Sequence, residues 1–533
     1  MADPTKIPPI QQLALATNHT LIPIETKFPR RLRDFARHGL LPCPRLDFIG
    51  RDVPLAPEHD HNASMATMLA RQREAFLRDG PPTLAQRRAR LGQLRAALLA
   101  HREVLKDAVS ADFGHRSRHE TDFMELACIV QAIDYLSRRL RRFMQRERRH
   151  VHLFYRAGRA YVEYQPLGVI GVMSPWNYPV ALALVPLATA LAAGNRAMLK
   201  PSELTPQTSQ ALRHMLAEAF PEEEVAVVLG GPETGAAFSA LPFDHLLFTG
   251  STQVGRKVMR AASDHLVPVT LELGGKSPAI VARGHVNERT LRSLVYGKLS
   301  NAGQTCVAPD YALVHEDDLE AFIARYVATV QRFYPDGPSS RDYTSIVSDR
   351  HCDRLRGLVE DARRRGARVI EVGASPTLGA ARKRSLAPTL VVNAGDAAAL
   401  MQEEIFGPIL PVLSYRSIDE AIAAVNARPR PLALYYFGAE DGDCARLLAR
   451  TTSGNVGINN TLIHVAQDDL PFGGIGPSGM GAYHGIEGFR AMSHAKGVFV
   501  QGRWNLPGLL HAPFGRLADI AAALTLGKTR PPS

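Results

Sequence analysis

The cysteine at position 306 lies in a stretch of small residues that runs from Asn301 to Ala308. A thiol without bulky neighbours can act as a nucleophile, and its thiolate can attack a carbonyl carbon to form a hemithioacetal. Because cysteine is also among the most often buried residues, a packing role competes with catalysis at any single cysteine. We interpret the other four as packing residues because they lack comparable neighbours: Cys43, Cys128, Cys352 and Cys444.

Glu272 places a carboxylate on an otherwise apolar segment, residues 269–273, that reads as a strand. A charge in such a segment is costly unless it is paired, carries a raised pKa or takes part in chemistry. A base that activates water would need this environment, whereas a salt bridge with a neighbouring Lys or Arg would satisfy the charge without any chemistry. The sequence leaves both interpretations open.

Two further segments could hold a dinucleotide. Gly250, Ser251 and Gly255 form a strand-to-helix turn whose backbone N–H groups could bind a pyrophosphate, although ordinary capped connections look the same. Lys200 and Glu203 follow another predicted strand, where an acid can accept hydrogen bonds from ribose hydroxyls, although a Pro-Ser helix start also explains the segment. Glu203 would repel a ribose phosphate, which favours NAD over NADP.

The elements that must position these residues alternate between strands and helices. Residues 63–150 are expected to be mainly helical. The predicted strands are 160–164, 168–173, 196–199, 225–229, 245–248, 269–273, 311–314, 369–372, 389–392 and 432–437. This alternation predicts an α/β fold with two doubly wound parallel-sheet domains. Asn177, Lys200, Gly250 and Glu272 each lie at or just past a strand end, so one crevice could collect them.

Composition limits the class of protein. A chain of 533 residues exceeds the size of a single growing core, and 45% hydrophobic with 22% charged residues is typical of globular domains. Five cysteines show no disulfide-framework spacing, and no paired Cys or His pattern indicates a metal site. With no recognisable signal peptide or transmembrane span, we expect a soluble protein in a reducing compartment, the cytoplasm.

The net charge of +11 raises the question of nucleic-acid binding. The densest basic run, residues 138–149, is predicted to lie on a helix whose apolar stripe repeats at three- and four-residue steps. Because no aromatic side chains are interleaved with the arginines, the run is interpreted as a solvated face, and no nucleic-acid partner is expected.

Seven ordered motifs resemble the aldehyde dehydrogenase superfamily over about residues 63–505. They are residues 175–179, 200–203, 248–252, 271–276, 303–306, 403–408 and 470–474. The resemblance implies Cys306 as nucleophile, Glu272 as the base for water and Asn177 as an oxyanion donor. The cofactor-binding residues that it implies are Trp176, Lys200, Glu203, Gly250, Ser251, Gly255, Glu404 and Phe406. The cofactor would be NAD, with NADP possible, and no metal is implied.

Within the superfamily, residues 304–311 and 479–485 resemble the class-three branch, and residues 460–470 resemble its coniferyl-aldehyde-oxidising members. The expected substrate is therefore an aromatic aldehyde, with a medium- or long-chain aliphatic aldehyde as the alternative. Two other classes of function remain open at this point: a thiol hydrolase or acyltransferase without a redox step, and a catalytically silent relative.

The resemblance also implies a domain plan. Residues 63–150 and 167–272 would form the NAD-binding domain, 273–483 the catalytic domain, and 151–166 with 484–505 a bridging β element that supports a homodimer. Residues 1–62 form an unassigned arm. In the tail, residues 506–533, an apolar stripe is expected to dock on the protein, because the tail is too short and charged for an integral membrane anchor.

Overall fold

The computed structural model describes residues 58–373, 382–504, 508 and 511–527. Most of the predicted arm, residues 1–57, and the end of the tail therefore lie outside the described residues, as does Cys43. The helices are α1 (Glu58–Asp79), α2 (Leu84–Ala100), α3 (Arg102–Phe113), α4 (Arg118–Thr121), α5 (Ala127–Phe143), α6 (Ala181–Ala193), α7 (Pro206–Ala219), α8 (Pro232–Ser239), α9 (Thr252–Ser263), α10 (Glu288–Leu299), α11 (Leu319–Phe333), α12 (Asp349–Arg364), α13 (Ala399–Gln402), α14 (Ile418–Asn426), α15 (Gly442–Arg450), α16 (Gly485–Ala491) and α17 (Arg516–Leu526).

The strands are β1 (Glu147–Arg149), β2 (Arg159–Pro166), β3 (Val169–Met173), β4 (Arg196–Lys200), β5 (Val225–Val227), β6 (His245–Thr249), β7 (Val269–Glu272), β8 (Pro278–Val281), β9 (Tyr311–His315), β10 (Arg368–Glu371), β11 (Thr389–Val392), β12 (Ile409–Tyr415), β13 (Ala433–Phe437), β14 (Asn455–Ile458), β15 (Gly479–Met480) and β16 (Ser493–Val500). Every strand predicted from the sequence is present within a few residues. The strands β8, β12 and β14, which no prediction included, complete the second sheet.

The first of the two large sheets has six strands in the order β15-β7-β6-β3-β4-β5. Side chains alternate across it, as the strand pleat requires. Ile170 and Val172 pack with α2, α3, α5, α6 and α7 on one face, and Val169 and Met173 pack with α1, α8 and α9 on the other. Helices on both faces of a mainly parallel sheet confirm the predicted doubly wound architecture.

The second large sheet has seven strands in the order β10-β11-β12-β9-β8-β13-β14. Ile280 and Leu313 face one apolar cluster, and Val281 and Val314 face another, so this sheet is also buried on both sides. Each large sheet carries one antiparallel edge strand, β15 in the first and β10 in the second, which the prediction of purely parallel sheets did not include.

A small antiparallel sheet, β1-β2-β16, stands apart from both. It includes Glu147–Arg149, so the end of the basic run forms a strand, and the prediction that the whole run is helical is wrong for Arg146, Arg148 and Arg149. The helix ends at Phe143, and Arg146 pairs with Glu163 on the neighbouring strand. The arginines of the run are nevertheless exposed, as expected for a solvated face.

Both ends of the described chain differ from the predictions. Helix α1 begins at Glu58, five residues before the expected start at Ala63. The tail forms the helix α17, but its docking prediction is wrong: none of its residues is buried, and Leu517 and Leu524 are exposed. No described part of this chain covers the stripe. None of the described helices combines the length and apolar character needed to span a bilayer.

Candidate active site

The predicted site residues follow strands that end at the same edge of the six-stranded sheet. Lys200 ends β4, Glu272 ends β7, Gly250 follows β6 and Asn177 follows β3. The chain leaves β3 toward β4 on one side and returns to β6 on the other, so the strand order reverses beside β3. Loops diverge at such a switch point and open a crevice beyond the carboxyl ends of the strands.

Glu272 is buried in this crevice without a polar partner. Its side chain is 2% exposed, and neither carboxyl oxygen has a hydrogen-bond partner. Burial raises the pKa of Glu272 well above its usual value, because the charged form loses its hydration and gains no compensating contact. The salt bridge that the sequence left open is therefore not formed. A carboxyl in this state holds its proton more strongly than an exposed one and is a stronger base once it is ionised.

Cys306 is partly exposed and lies in the electrostatic neighbourhood of two carboxyl groups. Burial, together with the negative charges of Glu404 and Glu272, raises the pKa of the Cys306 thiol to about 12. The backbone N–H groups of Cys306 and Val307 act in the opposite direction but are outweighed. The resting thiol is therefore neutral, and its activation requires transfer of its proton or a nearby positive charge.

The backbone before Cys306 adopts an uncommon conformation. Asn301 and Ala302 both have φ of 52°, and Gly303 has φ of 75°. For the non-glycine residues such backbone costs about 1–3 kcal/mol each and persists only where the surroundings enforce it. A Cβ on Gly303 would lie 2.3 Å from the Gly407 carbonyl oxygen, so only glycine allows this close approach.

Gln304 enforces that conformation from within the core. Its side-chain amide donates to the carbonyl oxygens of Asn301 (2.9 Å) and Ser345 (3.1 Å), and its side-chain oxygen accepts from the Val347 N–H (3.0 Å). All three partners are backbone groups, and the side chain is fully buried. These hydrogen bonds attach the loop that carries the thiol to the backbone at Ser345 and Val347.

Asn177 is tied to the same loop. Its side-chain amide donates to the Gln304 carbonyl oxygen (3.1 Å), two residues before the cysteine. The Asn177 carbonyl oxygen accepts from the side chains of Asn301 (2.9 Å) and Arg116 (2.9 Å). Asn177 is therefore fixed against the loop that carries Cys306 by hydrogen bonds of both its side-chain amide and its backbone carbonyl.

Arg116 and Glu125 form a fully buried ion pair (3.0 Å) that supports Asn177 and was not identified from the sequence. Glu125 accepts the N–H groups of Val180 (2.7 Å) and Ala181 (3.0 Å) at the start of α6. The Arg116 guanidinium lies over the Tyr178 ring, 4.8 Å from its centroid. No local spacing could reveal this pair, because Arg116 lies between α3 and α4, Glu125 lies on the π-helical turn Asp122–Leu126, and each is recognised only by its partners.

A second buried ion pair holds the segment with Glu404 and Phe406. Lys276 pairs with Asp310 and donates to the carbonyl oxygens of Leu400 (2.7 Å) and Glu403 (3.0 Å). Asp310 also accepts the Ile405 N–H (2.8 Å). Burial raises the pKa of Glu404 to about 8, with Asp310 adding to the shift. A Cβ on Gly274 would overlap the Glu404 carboxyl, so glycine makes room for it.

The remaining cofactor candidates make the following contacts. Lys200 donates to Glu203 (3.0 Å), and the ring of Trp176 lies 5.3 Å from that of Phe406. Ser251 caps α9 by accepting the Val254 N–H (3.3 Å). Gly255 has a packing reason of its own, since a Cβ there would lie 2.6 Å from a Leu273 methyl carbon.

The other described cysteines have no comparable setting. Cys352 and Cys444 are buried. Cys128 is partly exposed, its Sγ lies 3.4 Å from the Phe123 carbonyl oxygen, and burial raises its pKa to about 11.

Comparison with known proteins agrees with this geometry. A model of the aldehyde dehydrogenase family matches residues 52–498. The chain is 49% identical to the coniferyl aldehyde dehydrogenase of Pseudomonas sp. strain HR199 and to a probable coniferyl aldehyde dehydrogenase of Caulobacter vibrioides, covering 85% of this chain and 94% and 95% of those proteins. A solved Staphylococcus aureus AldH in a substrate-bound state superposes with a TM-score of 0.81 at 35% identity, covering 86% of this chain and 99% of that one.

The chain belongs to the aldehyde dehydrogenase family. It is an NAD(P)-dependent oxidoreductase that acts on aldehydes, and members of the family use NAD or NADP. The two competing classes, a hydrolase without a redox step and a silent relative, are thereby set aside.

Replacing Arg116 with Met should lower the free energy of the first unfolding transition in urea by about 3–5 kcal/mol, because Glu125 would remain buried without its cation. The matched control is Arg332→Met, which breaks only an exposed pair with Glu288 and should cost less than about 1 kcal/mol. Adding Glu125→Gln to Arg116→Met should recover part of the loss. Equal effects of the Arg116 and Arg332 variants would contradict a supporting role for the buried pair.

Proposed function

We propose that this protein oxidises an aromatic aldehyde of the coniferyl type to its carboxylic acid, with Cys306 as nucleophile, Glu272 as general base and NAD as the preferred cofactor. The observation that carries the assignment of roles is the burial of an unpaired carboxyl, Glu272, within electrostatic reach of a partly exposed thiol. A thiol and a proton acceptor in one desolvated cleft are the two groups that a covalent oxidation needs.

The residues of the crevice fit a dinucleotide. The start of α9 is exposed at Ser251 and Gln253, where helix N–H groups and the positive helix end can bind a pyrophosphate. Lys200 and Glu203 stand at the end of β4 as hydrogen-bonding groups for a ribose, and the Glu203 carboxylate would repel a phosphate on that ribose. We therefore favour NAD over NADP. Trp176, Phe406 and Glu404 would border the nicotinamide end.

The proposed reaction begins with attack of the Cys306 sulfur on the aldehyde carbon, after Glu272 or bound water has taken the thiol proton. The resulting oxyanion would be stabilised by the Asn177 side-chain amide and the Cys306 N–H. Each such donor is typically worth about 3–4 kcal/mol in the transition state. The attachment of Asn177 to the Gln304 carbonyl keeps that amide in position before the substrate arrives.

Hydride transfer from the hemithioacetal carbon, for which the cofactor supplies the acceptor, leaves a thioester on Cys306. Once the proton taken from the thiol has passed to solvent, ionised Glu272 would remove a proton from water. The hydroxide would add to the thioester carbon, and the carbon–sulfur bond would break to give the carboxylic acid and the Cys306 thiolate, which then takes up the proton held by Glu272. Because burial keeps the pKa of Glu272 raised, the group is a stronger base than an exposed carboxylate once it has lost its proton.

Aromatic side chains support an aromatic substrate. Tyr435 and Tyr483 both interact electrostatically with Cys306. Phe472 lies 6.0 Å from the ring of Tyr483 and His464 lies 5.7 Å from that of Tyr435. Planar rings pack favourably against such edges and faces. The names of the relatives at 49% identity specify the same substrate class, coniferyl aldehyde. A medium- or long-chain aliphatic aldehyde is the alternative.

We further propose a homodimer in the cytoplasm. The strand β16 is an edge of the small sheet, with β2 as its partner and Phe499 half exposed, and an edge strand can pair with a second copy. A reducing compartment would keep Cys306 as the free thiol that the reaction needs.

Replacing Cys306 with Ala should abolish NADH formation while NAD still binds, because the nucleophile is lost and the dinucleotide residues remain. Absorbance at the NADH wavelength measures turnover, and tryptophan fluorescence titration measures binding through Trp176. The matched control is Cys444→Ala, a buried free cysteine on α15, which should retain parent turnover. Turnover at the parent rate in Cys306→Ala would refute the assignment of the nucleophile.

Replacing Glu272 with Gln should give a burst of one NADH per active site followed by slow turnover, because the thioester forms but is not hydrolysed. Stopped-flow absorbance measures the burst, and mass spectrometry of the intact chain measures the acyl adduct. The parent's thioester hydrolysis should rise with pH through the raised pKa of Glu272, since only its ionised form is a base, and the variant should lose that dependence. Glu288→Gln, on an exposed helix start, serves as the control. Steady parent-rate turnover in Glu272→Gln would remove its assigned role.

An aldehyde panel with purified enzyme tests the substrate class and the cofactor together. We expect kcat/KM for coniferyl aldehyde to exceed that for aliphatic aldehydes of six to ten carbons by about tenfold or more, because a flexible chain leaves the aromatic walls incompletely covered. We also expect NAD to be preferred over NADP. Higher values for the aliphatic series would favour the alternative substrate, and a preference for NADP would contradict the role given to Glu203.

A further inference from the structure

Three potential metal ligands meet on helices outside the catalytic crevice. His101 lies at the junction of α2 and α3, and His214 and Glu218 are four residues apart on α7, which places them on one face of that helix. His101 Nε2 lies 3.1 Å from one Glu218 oxygen, and His214 Nε2 lies 2.9 Å from the other. All three ligand atoms are within 4.8 Å of one another.

The hydrogen bond on the other side of the His101 ring defines which nitrogen is available. Its Nδ1 lies 3.0 Å from the Ala97 carbonyl oxygen, which can only accept, so Nδ1 carries the proton. In the neutral ring, Nε2 then presents a lone pair toward Glu218. Metal-binding histidines commonly have this arrangement, with the outer nitrogen donating to a carbonyl that orients the ring.

We propose that His101, His214 and Glu218 bind one zinc-class divalent cation. Without a cation, the lone pair of neutral His101 faces a carboxylate oxygen, and the contact is favourable only when the ring is protonated. A cation placed between the three groups would be bound by the lone pairs of both histidines and by the Glu218 carboxylate at the same time. Two imidazole nitrogens and one carboxylate oxygen are ligands that zinc accepts in tetrahedral sites, with water in the fourth position. His214 and Glu218 are exposed enough for their side chains to rotate toward the ion.

The position of the cluster gives the ion a structural role. Helices α3 and α7 run antiparallel, and Asp112 near the end of α3 accepts the N–H groups of Gln207 (3.0 Å) and Thr208 (2.8 Å) at the start of α7. His101 lies at the opposite end of α3, beside the last turns of α7. The ion would join the two helices at the end that Asp112 does not reach, in the layer that packs on the six-stranded sheet.

The test uses the full-length chain without an affinity tag, stripped of metal by a chelator. Equilibrium dialysis with zinc measures stoichiometry, and cobalt(II) replaces zinc as a probe whose visible absorption reports tetrahedral nitrogen and oxygen coordination. The variants are His214→Ala and Glu218→Gln, with His265→Ala as the control at an exposed histidine outside the cluster. Aldehyde oxidation in every variant verifies that the fold is intact, since none of these residues has been given a catalytic role.

We expect the parent and His265→Ala to bind one more zinc equivalent than the two cluster variants, whose affinity should fall about tenfold or more. The two cluster variants should also lose the tetrahedral cobalt bands and the zinc-dependent rise in Tm. Because other histidines and cysteines of the chain could also bind zinc, only this difference between variants counts as support. Equal zinc binding and equal cobalt spectra in all four proteins, or no saturable binding to the parent, would overturn the proposal.

Discussion

The burial of an unpaired carboxyl beside a thiol is the constraint around which the active site is organised. Glu272 ends a strand of the six-stranded sheet, while Cys306 lies between two strands of the seven-stranded sheet, so neither sheet alone contains the pair. Desolvation raises the pKa of Glu272 and of Cys306, so the thiol is neutral at rest and the carboxyl holds a proton more strongly than an exposed one would. Reactivity therefore depends on proton transfer within the cleft rather than on a thiolate that exists in advance.

Such a cleft is unfavourable for folding unless other interactions hold its walls. Two buried ion pairs do so from opposite sides: Arg116–Glu125 supports the loop of Asn177, and Lys276–Asp310 supports the segment of Glu404. Gln304 holds the left-handed backbone before the cysteine by bonding only to backbone groups. Glu272 is the proposed catalytic residue whose buried polar atoms remain without hydrogen-bond partners.

The success and failure of sequence reasoning follow from the range of the interactions involved. Apolar runs bounded by glycine and proline predicted the parallel strands of the six-stranded sheet, because a strand buried on both faces must be apolar along its length, but in the seven-stranded sheet β8, β12 and β14 were missed. The same rule missed β15, which has only two residues and exists because Leu271 and Glu272 pair with it. The stripe on α17 predicted a helix correctly but not its environment, since amphipathicity indicates that a face needs a partner and not that this chain provides one. His214 and Glu218 show a ligand spacing, yet the third member, His101, is supplied by packing.

The amino-acid sequence by itself determined the fold class, the family motifs and the residue types able to perform aldehyde oxidation, because these depend on local patterns and on ordered short segments. Only the tertiary structure decided that Glu272 has no salt-bridge partner, that Asn177 is tied to Gln304, and that Arg116 meets Glu125. Hydrogen bonding and desolvation act over a few ångströms in space, between residues that can be far apart along the chain. Their strength therefore becomes defined when the sheets and helices bring those residues together.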